Sequence, residues 1–84
     1  MIGRRVEIPE GPHILQPGEY GRWAQDSNWY AVPPGHPDLT ANLSRHQVTE
    51  HADGTITVSP SILVSAGARG SWHGYLERGV WREC

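Results

Sequence analysis

Polar and apolar residues alternate most regularly in the second half of the chain. From Thr55 to Ser65 the apolar residues Ile56, Val58, Ile62 and Val64 fall on even positions. The hydroxyl residues Thr55, Thr57, Ser59, Ser61 and Ser65 fall on odd ones, and Leu63 is the single residue out of step. Period-2 alternation marks a half-buried strand, because successive side chains of an extended chain point to opposite faces. Pro60 interrupts the run without breaking its parity. Proline has no amide hydrogen for a ladder, so position 60 predicts an edge or a bend. The chain is expected to hold nearly the same direction there while the sheet curls. Ile56, Val58, Ile62 and Val64 then form an inner wall of the core. The hydroxyls form an outer face, or line a site if they meet the hairpin at Trp72–His73 or a second subunit.

The rest of the chain reads as more short strands. Residues 4–8 set Val6 and Ile8 on one side and stop at Pro9. Residues 17–24 predict a turn followed by a strand, and residues 27–32 a further strand closed by the loop "PPGHPD". The stretch "DLTANLS" reads equally as one helical turn or an extended crossover. Residues 45–50 and 55–58 flank "HADG", a type I turn with Gly54 in the left-handed region and hence a bulged hairpin. Residues 61–65 follow, then "AGARG", read as a flexible connection. Residues 71–77 and 80–83 flank Arg78-Gly79, a second tight hairpin. No window shows a helical period. The fold class is therefore all-β: one small domain over residues 1–84, with six or seven short, mostly antiparallel strands in a rolled sheet, small barrel or sandwich.

Size and composition alter this picture in two ways. An 84-residue chain with one cysteine, Cys84, has a small core and no internal disulfide, so self-association gains weight and a homo-oligomer is expected. All seven basic residues are arginine, and four tryptophans and three tyrosines accompany no phenylalanine. Arg, Trp and Tyr are the residues of phosphate clamps, base-stacking platforms and interface centres. A net charge of −2 argues against long nucleic acid, whose affinity rests on many phosphate contacts. No apolar run approaches the ~20 residues of a membrane span, and no signal-peptide core is present, so a soluble intracellular protein is expected.

Four kinds of chemistry have the residue types they need. His46, His51, His73 and Cys84 are possible metal ligands. However, His46 and His51 lie five apart, which points them to opposite faces of a regular strand, and no metal is expected. Ser59, Ser61, His73, Asp53 and Glu50 contain the members of a hydrolytic triad, but "GSWHG" is not a nucleophile elbow and lies in a predicted hairpin. "SAGARGS" with Arg69 offers a backbone anion nest. Last, Trp23, Trp29, Tyr30, Trp72, Tyr75 and Trp81, with Arg22, Arg45, Arg69, Arg78 and Arg82, suit a pocket that stacks bases and clamps phosphates; the competing reading makes most of the tryptophans core plugs.

The segments "EHADGTITVSPSI" and "WHGYLERGVW", with "NWYAVPPGH" before them, resemble a family of small uncharacterised proteins of actinobacteriophages. More distantly, the chain is similar to phage and bacterial domains with a "PSI" strand and a later histidine. In those domains a cysteine usually precedes the histidine, whereas Trp72 stands there in this chain, so their metal site does not carry over. The resemblance implies a phage accessory protein, cytoplasmic in an infected bacterium or mounted on the virion. The resulting expectation is a non-enzymatic protein without cofactor. It would sequester a small anionic or nucleotide ligand through Trp29, Tyr30, Arg45, Ser59, Ser61, Arg69, Trp72, His73 and Tyr75. The alternative is a protein–protein interaction module that binds a host factor or decorates a capsid.

Overall fold

In the computed structural model, which describes residues 1–84, the extended segments become nine strands. These are β1 (Arg4–Arg5), β2 (Glu19–Trp23), β3 (Asn28–Ala31), β4 (Ala41–Asn42), β5 (Gln47–Glu50), β6 (Ile56–Ser59), β7 (Ile62–Ser65), β8 (Ser71–Glu77) and β9 (Val80–Glu83). They form three sheets, β1-β2-β3-β4, β5-β6 and β7-β8-β9. The all-β class stands. The strands are more numerous and shorter than the alternation implies, and they do not close into a barrel.

Both hairpins follow from their turn residues. In the first, His51 N–H bonds the Thr55 carbonyl at 2.8 Å and Gly54 N–H bonds the His51 carbonyl at 2.9 Å. Gly54 has φ +89°, so the type I turn with its bulge forms as expected. Asp53 fastens it by accepting from Thr55 N–H at 3.0 Å and Thr55 O–H at 2.6 Å, bonds that hold its carboxyl below the ordinary value. In the second, Arg78 and Gly79 both have positive φ, 47° and 76°, the pair that a two-residue type I′ turn requires. Gly79 is also fixed by space, since a Cβ there would lie 2.9 Å from the Tyr20 hydroxyl.

Pro60 marks the place where the chain changes sheets. Strand β6 pairs with β5 and strand β7 with β8, so the passage from Ser59 to Ile62 is the corner between two layers. Pro60 is exposed and the Ser59–Pro60 bond is cis. The parity holds through the corner: Ile56, Val58 and Ile62 are buried, Val64 is half-buried against them, and Leu63 points out, 68% exposed.

Between the sheets lies one core of Tyr20, Trp29, Ala31, Leu39, Ala41, Leu43, Ile56, Val58, Ile62, Trp72, Leu76 and Trp81. Trp72 and Trp81 meet edge-to-face with ring centroids 5.3 Å apart. A smaller cluster of Ile8, Leu15, Tyr30 and Val32 sits under the N-terminal loop.

Two expectations need correction, and one open reading resolves. Residues 4–8 do not make a full strand. Only Arg4 and Arg5 pair, in parallel with β2, and Val6 N–H adds one bond to the Tyr20 carbonyl before the chain turns Ile8 into the smaller cluster. The ambiguous stretch before Arg45 is extended, with Ala41–Asn42 pairing to β3. "AGARG" is a closed 3-10 turn (Gly67–Arg69) rather than a loose connection. Its Arg69 and Gly70 amides donate to the Ala66 and Gly67 carbonyls at 3.1 and 3.0 Å, and so are not turned outward as an anion nest.

Candidate binding face

The outer face of the β7-β8-β9 sheet is set by register. Leu63 stands opposite His73, Tyr75 opposite Arg82, and Glu77 opposite Val80. These six side chains alternate with the buried Ile62, Trp72, Leu76 and Trp81, so the packing that fills the core also fixes which residues face water. The Arg82 guanidinium lies 4.6 Å above the Tyr75 ring and bonds the Glu77 carboxylate at 3.0 Å. That bond raises the Arg82 pKa further and holds the cation over the aromatic face. Ser61, just before β7, shares a 2.9 Å hydrogen bond with His73 Nε2.

Beside this face the hydroxyl row continues into a shallow groove of about 570 Å³ between the β5–β6 hairpin and the Arg78 turn. Thr49, His51, Thr57, Glu77 and Arg78 line it, and none is apolar. Thr57 Oγ1 accepts from the Arg78 backbone N–H at 3.0 Å and shares a 2.7 Å bond with His51 Nε2. This threonine ties the hairpin to the turn and orients the imidazole. Arg78 makes no ion pair, whereas Glu77 is engaged by Arg82 and Asp53 lies near enough to feel both His51 and Arg78.

The nine residues expected to form a ligand pocket do not form one. Trp29 and Trp72 are in the main core and Tyr30 is in the smaller cluster, so their faces are packed against protein and cannot stack on a base. Trp81 is a core plug as well, and Trp23 is half-buried beside Tyr30 at 6.4 Å. Tyr30 instead turns its hydroxyl to the Asp26 carboxylate, which lowers the Asp26 pKa and raises that of Tyr30. Arg45 is exposed in the turn before β5, and Arg69 is exposed in the 3-10 turn. Ser59 is exposed in β6, opposite Gln47. Only Ser61, His73 and Tyr75 come together, on the outer face, where Leu63 and Arg82 join them.

The other candidate constellations resolve in a similar way. His46 Nε2 meets the Ser61 carbonyl at 3.2 Å while His51 meets Thr57, and no three His, Cys, Asp or Glu side chains converge. Ser61 and His73 are two members of a triad, but no carboxylate bonds to His73 and the pair lies open to water. The missed residue with a usable signal is Leu63. Its break with the alternation reflects an apolar side chain set outward on a polar face. No family model, curated protein or solved structure matches this chain. No helix is long and apolar enough to cross a membrane.

Proposed function

We propose that the protein acts by binding a protein partner through the outer face of β7-β8-β9. The observation that carries this reading is the set of exposed Leu63, His73 and Arg82 with the half-buried Tyr75 beneath Arg82, in adjacent cross-strand rows. An apolar residue, an aromatic ring and an arginine held on that ring are the side chains that dominate interface energetics. Small-molecule sites are enclosed and largely apolar, whereas here the groove beside Arg78 is open and polar, and the two smaller clefts, about 290 Å³ beside Trp23 and about 230 Å³ beside Trp72 and Trp81, also carry charged side chains, Glu7 and Arg22 in one and Glu83 in the other. Catalysis by Ser61 and His73 lacks the orienting carboxylate that fixes the imidazole in a triad. The resemblance to small actinobacteriophage proteins supports a partner in the infected host cytoplasm or on the virion.

The test uses immobilised protein and lysate of phage-infected actinobacteria, with purified virions in parallel. A protein retained by wild type should be lost with Leu63→Asp and with Tyr75→Ala, and kept with Gln16→Asp, an exposed position in the turn before β2. Equal retention on all of them would remove the face from the function. A second reading, a small hydrophilic anion in the groove, is favoured by the unpaired Arg78 beside His51. Phosphate and nucleotides at high concentration should then raise the melting temperature of wild type by mass action but not that of Arg78→Asn, which tolerates the positive φ. No shift in wild type excludes it.

A further inference from the structure

A second surface is defined by backbone rather than side chains. Strand β5 forms one border of a sheet with only two strands. The far side of β6 is occupied, since Gly79 N–H bonds the Ile56 carbonyl and Arg78 N–H bonds Thr57 Oγ1, each at 3.0 Å. No strand pairs with the far side of β5, and Gln47, Thr49 and Glu50 are exposed. The hairpin geometry sets which of its groups are free. His51 N–H bonds across to Thr55, so at alternate positions Thr49 and Gln47 bond to β6, and Val48 and Glu50 turn their N–H and C=O outward.

Natural edges are usually blunted by lysine, proline or a bulge, and two-stranded sheets are marginal on their own. Residues Gln47–Glu50 carry none of these protections, and the one charge among them, Glu50, is neutralised by Arg5 at 2.6 Å. We propose that a second copy of this chain pairs with β5 in antiparallel fashion, Val48 facing Val48 across a two-fold axis. The result is a continuous four-stranded sheet, β6-β5-β5-β6, with the self-complementary contact that two-fold symmetry demands. In this register the outward-bonding residues of the two copies meet one another. Gln47 lies opposite Thr49 of the second copy, both exposed and polar, and no like charges are opposed; the His46 ring stays with its own chain, its Nε2 on the Ser61 carbonyl. Centring the axis on Glu50 would instead oppose two carboxylates, which cross-strand pairs avoid. This edge is separate from the Leu63–Arg82 face, so either can be lost while the other is measured.

Sedimentation and light scattering of the full chain from about 10 to about 500 µM should show a concentration-dependent approach to twice the 9.3 kDa chain mass. Val48→Pro should remain at the single-chain mass, because the hydrogen it removes points away from β6. Should that variant fail to fold, Val48→Cys in a Cys84→Ser background gives the same answer. Facing positions of a hydrogen-bonded pair lie ~5.5 Å apart at Cα, within the ~4.4–6.8 Å of a disulfide, so mild oxidation should yield covalent dimer. Gln16→Cys in that background should not. A single-chain mass for wild type at every concentration, or equal cross-linking of the two cysteine variants, overturns the proposal.

Discussion

Replacing Trp81 by phenylalanine tests how the N-terminal segment is held to the rest of the fold. Trp81 is 3% exposed, and its indole N–H donates to the Gly18 carbonyl at 2.9 Å. Gly3 crosses close over that indole, since a Cβ on Gly3 would sit 2.7 Å from Nε1. The Gly18 carbonyl also accepts from Arg4 N–H at 3.1 Å, so it keeps one partner in the variant. Loss of the bond therefore falls at the low end, about 1 kcal/mol. Phenylalanine has three fewer side-chain heavy atoms, which removes roughly 2 kcal/mol of buried apolar contact. The sum, about 3 kcal/mol, is a large part of the stability of a domain this size, ~4–13 kcal/mol. It corresponds to a fall in Tm of roughly 12–24 °C. Trp23→Phe is the control, because Trp23 is half-buried and its indole nitrogen makes no hydrogen bond within the chain; its shift should stay within a few degrees. Thermal and urea melts followed by far-UV circular dichroism measure both. Equal shifts for the two variants would refute the assignment of Trp81 as the strap between the sheets.

Gly74→Ala should be among the most damaging single changes in the chain. Its Cβ would lie 2.4 Å from the Arg82 carbonyl in β9 and 2.5 Å from the Trp72 ring, so soluble expression and the far-UV strand signal should both fall sharply. Asp26→Asn should flatten the acid limb of the stability curve. The Tyr30 hydroxyl bond lowers the folded-state pKa of Asp26 below its ordinary 3.8, so that stability is present above the ordinary value and lost as pH falls through the folded one. Melts between about pH 5 and about pH 2 should show a smaller dependence in the variant than in wild type, with the slope left by Asp53 common to both; identical slopes would exclude the Asp26–Tyr30 bond as a source.

The elements legible in the sequence are those whose determinants are local. Asp53-Gly54 and Arg78-Gly79 carry their own turn chemistry, and the even-position apolar residues from Ile56 to Val64 keep one face across Pro60 because parity survives a corner. The pieces that were not legible depend on partners distant in sequence. The strand read over residues 4–8 pairs only at Arg4–Arg5, and the stretch left open before Arg45 pairs only at Ala41–Asn42; those limits are set by β2 and β3 lying alongside, not by anything in the dipeptides themselves. The same holds for the candidate site. Trp72 and Leu76 share a face in the sequence, which is a core signature. Reading Trp29, Tyr30 and Trp72 as a stacking platform gave their polar handles more weight than the volume a small core has to fill. The contacts that organise the outer surface join side chains and amides well apart in the chain, Ser61 with His73 across 12 residues and Thr57 with the Arg78 amide across 21.

The stitching of the first residues to the last strand has a consequence for how the chain is made. Met1 and Trp81 exchange backbone bonds, Gly3 N–H donates to the Gly79 carbonyl, and Ile2 bridges to Val80. These contacts span almost the whole chain, so the beginning of the polypeptide waits for residues 79–81 to leave the ribosome before it finds its place. At ~5–20 residues per second that delay is several seconds, long compared with the microseconds in which a hairpin forms. During it Met1–Gly3 lack the strand they pair with, whereas the cluster of Ile8, Leu15, Tyr30 and Val32 is built from residues made early and needs nothing from the last strand. The pairing of Met1–Gly3 with residues 79–81 is thus among the last contacts of this fold to form, after the hairpins and the cluster around Ile8.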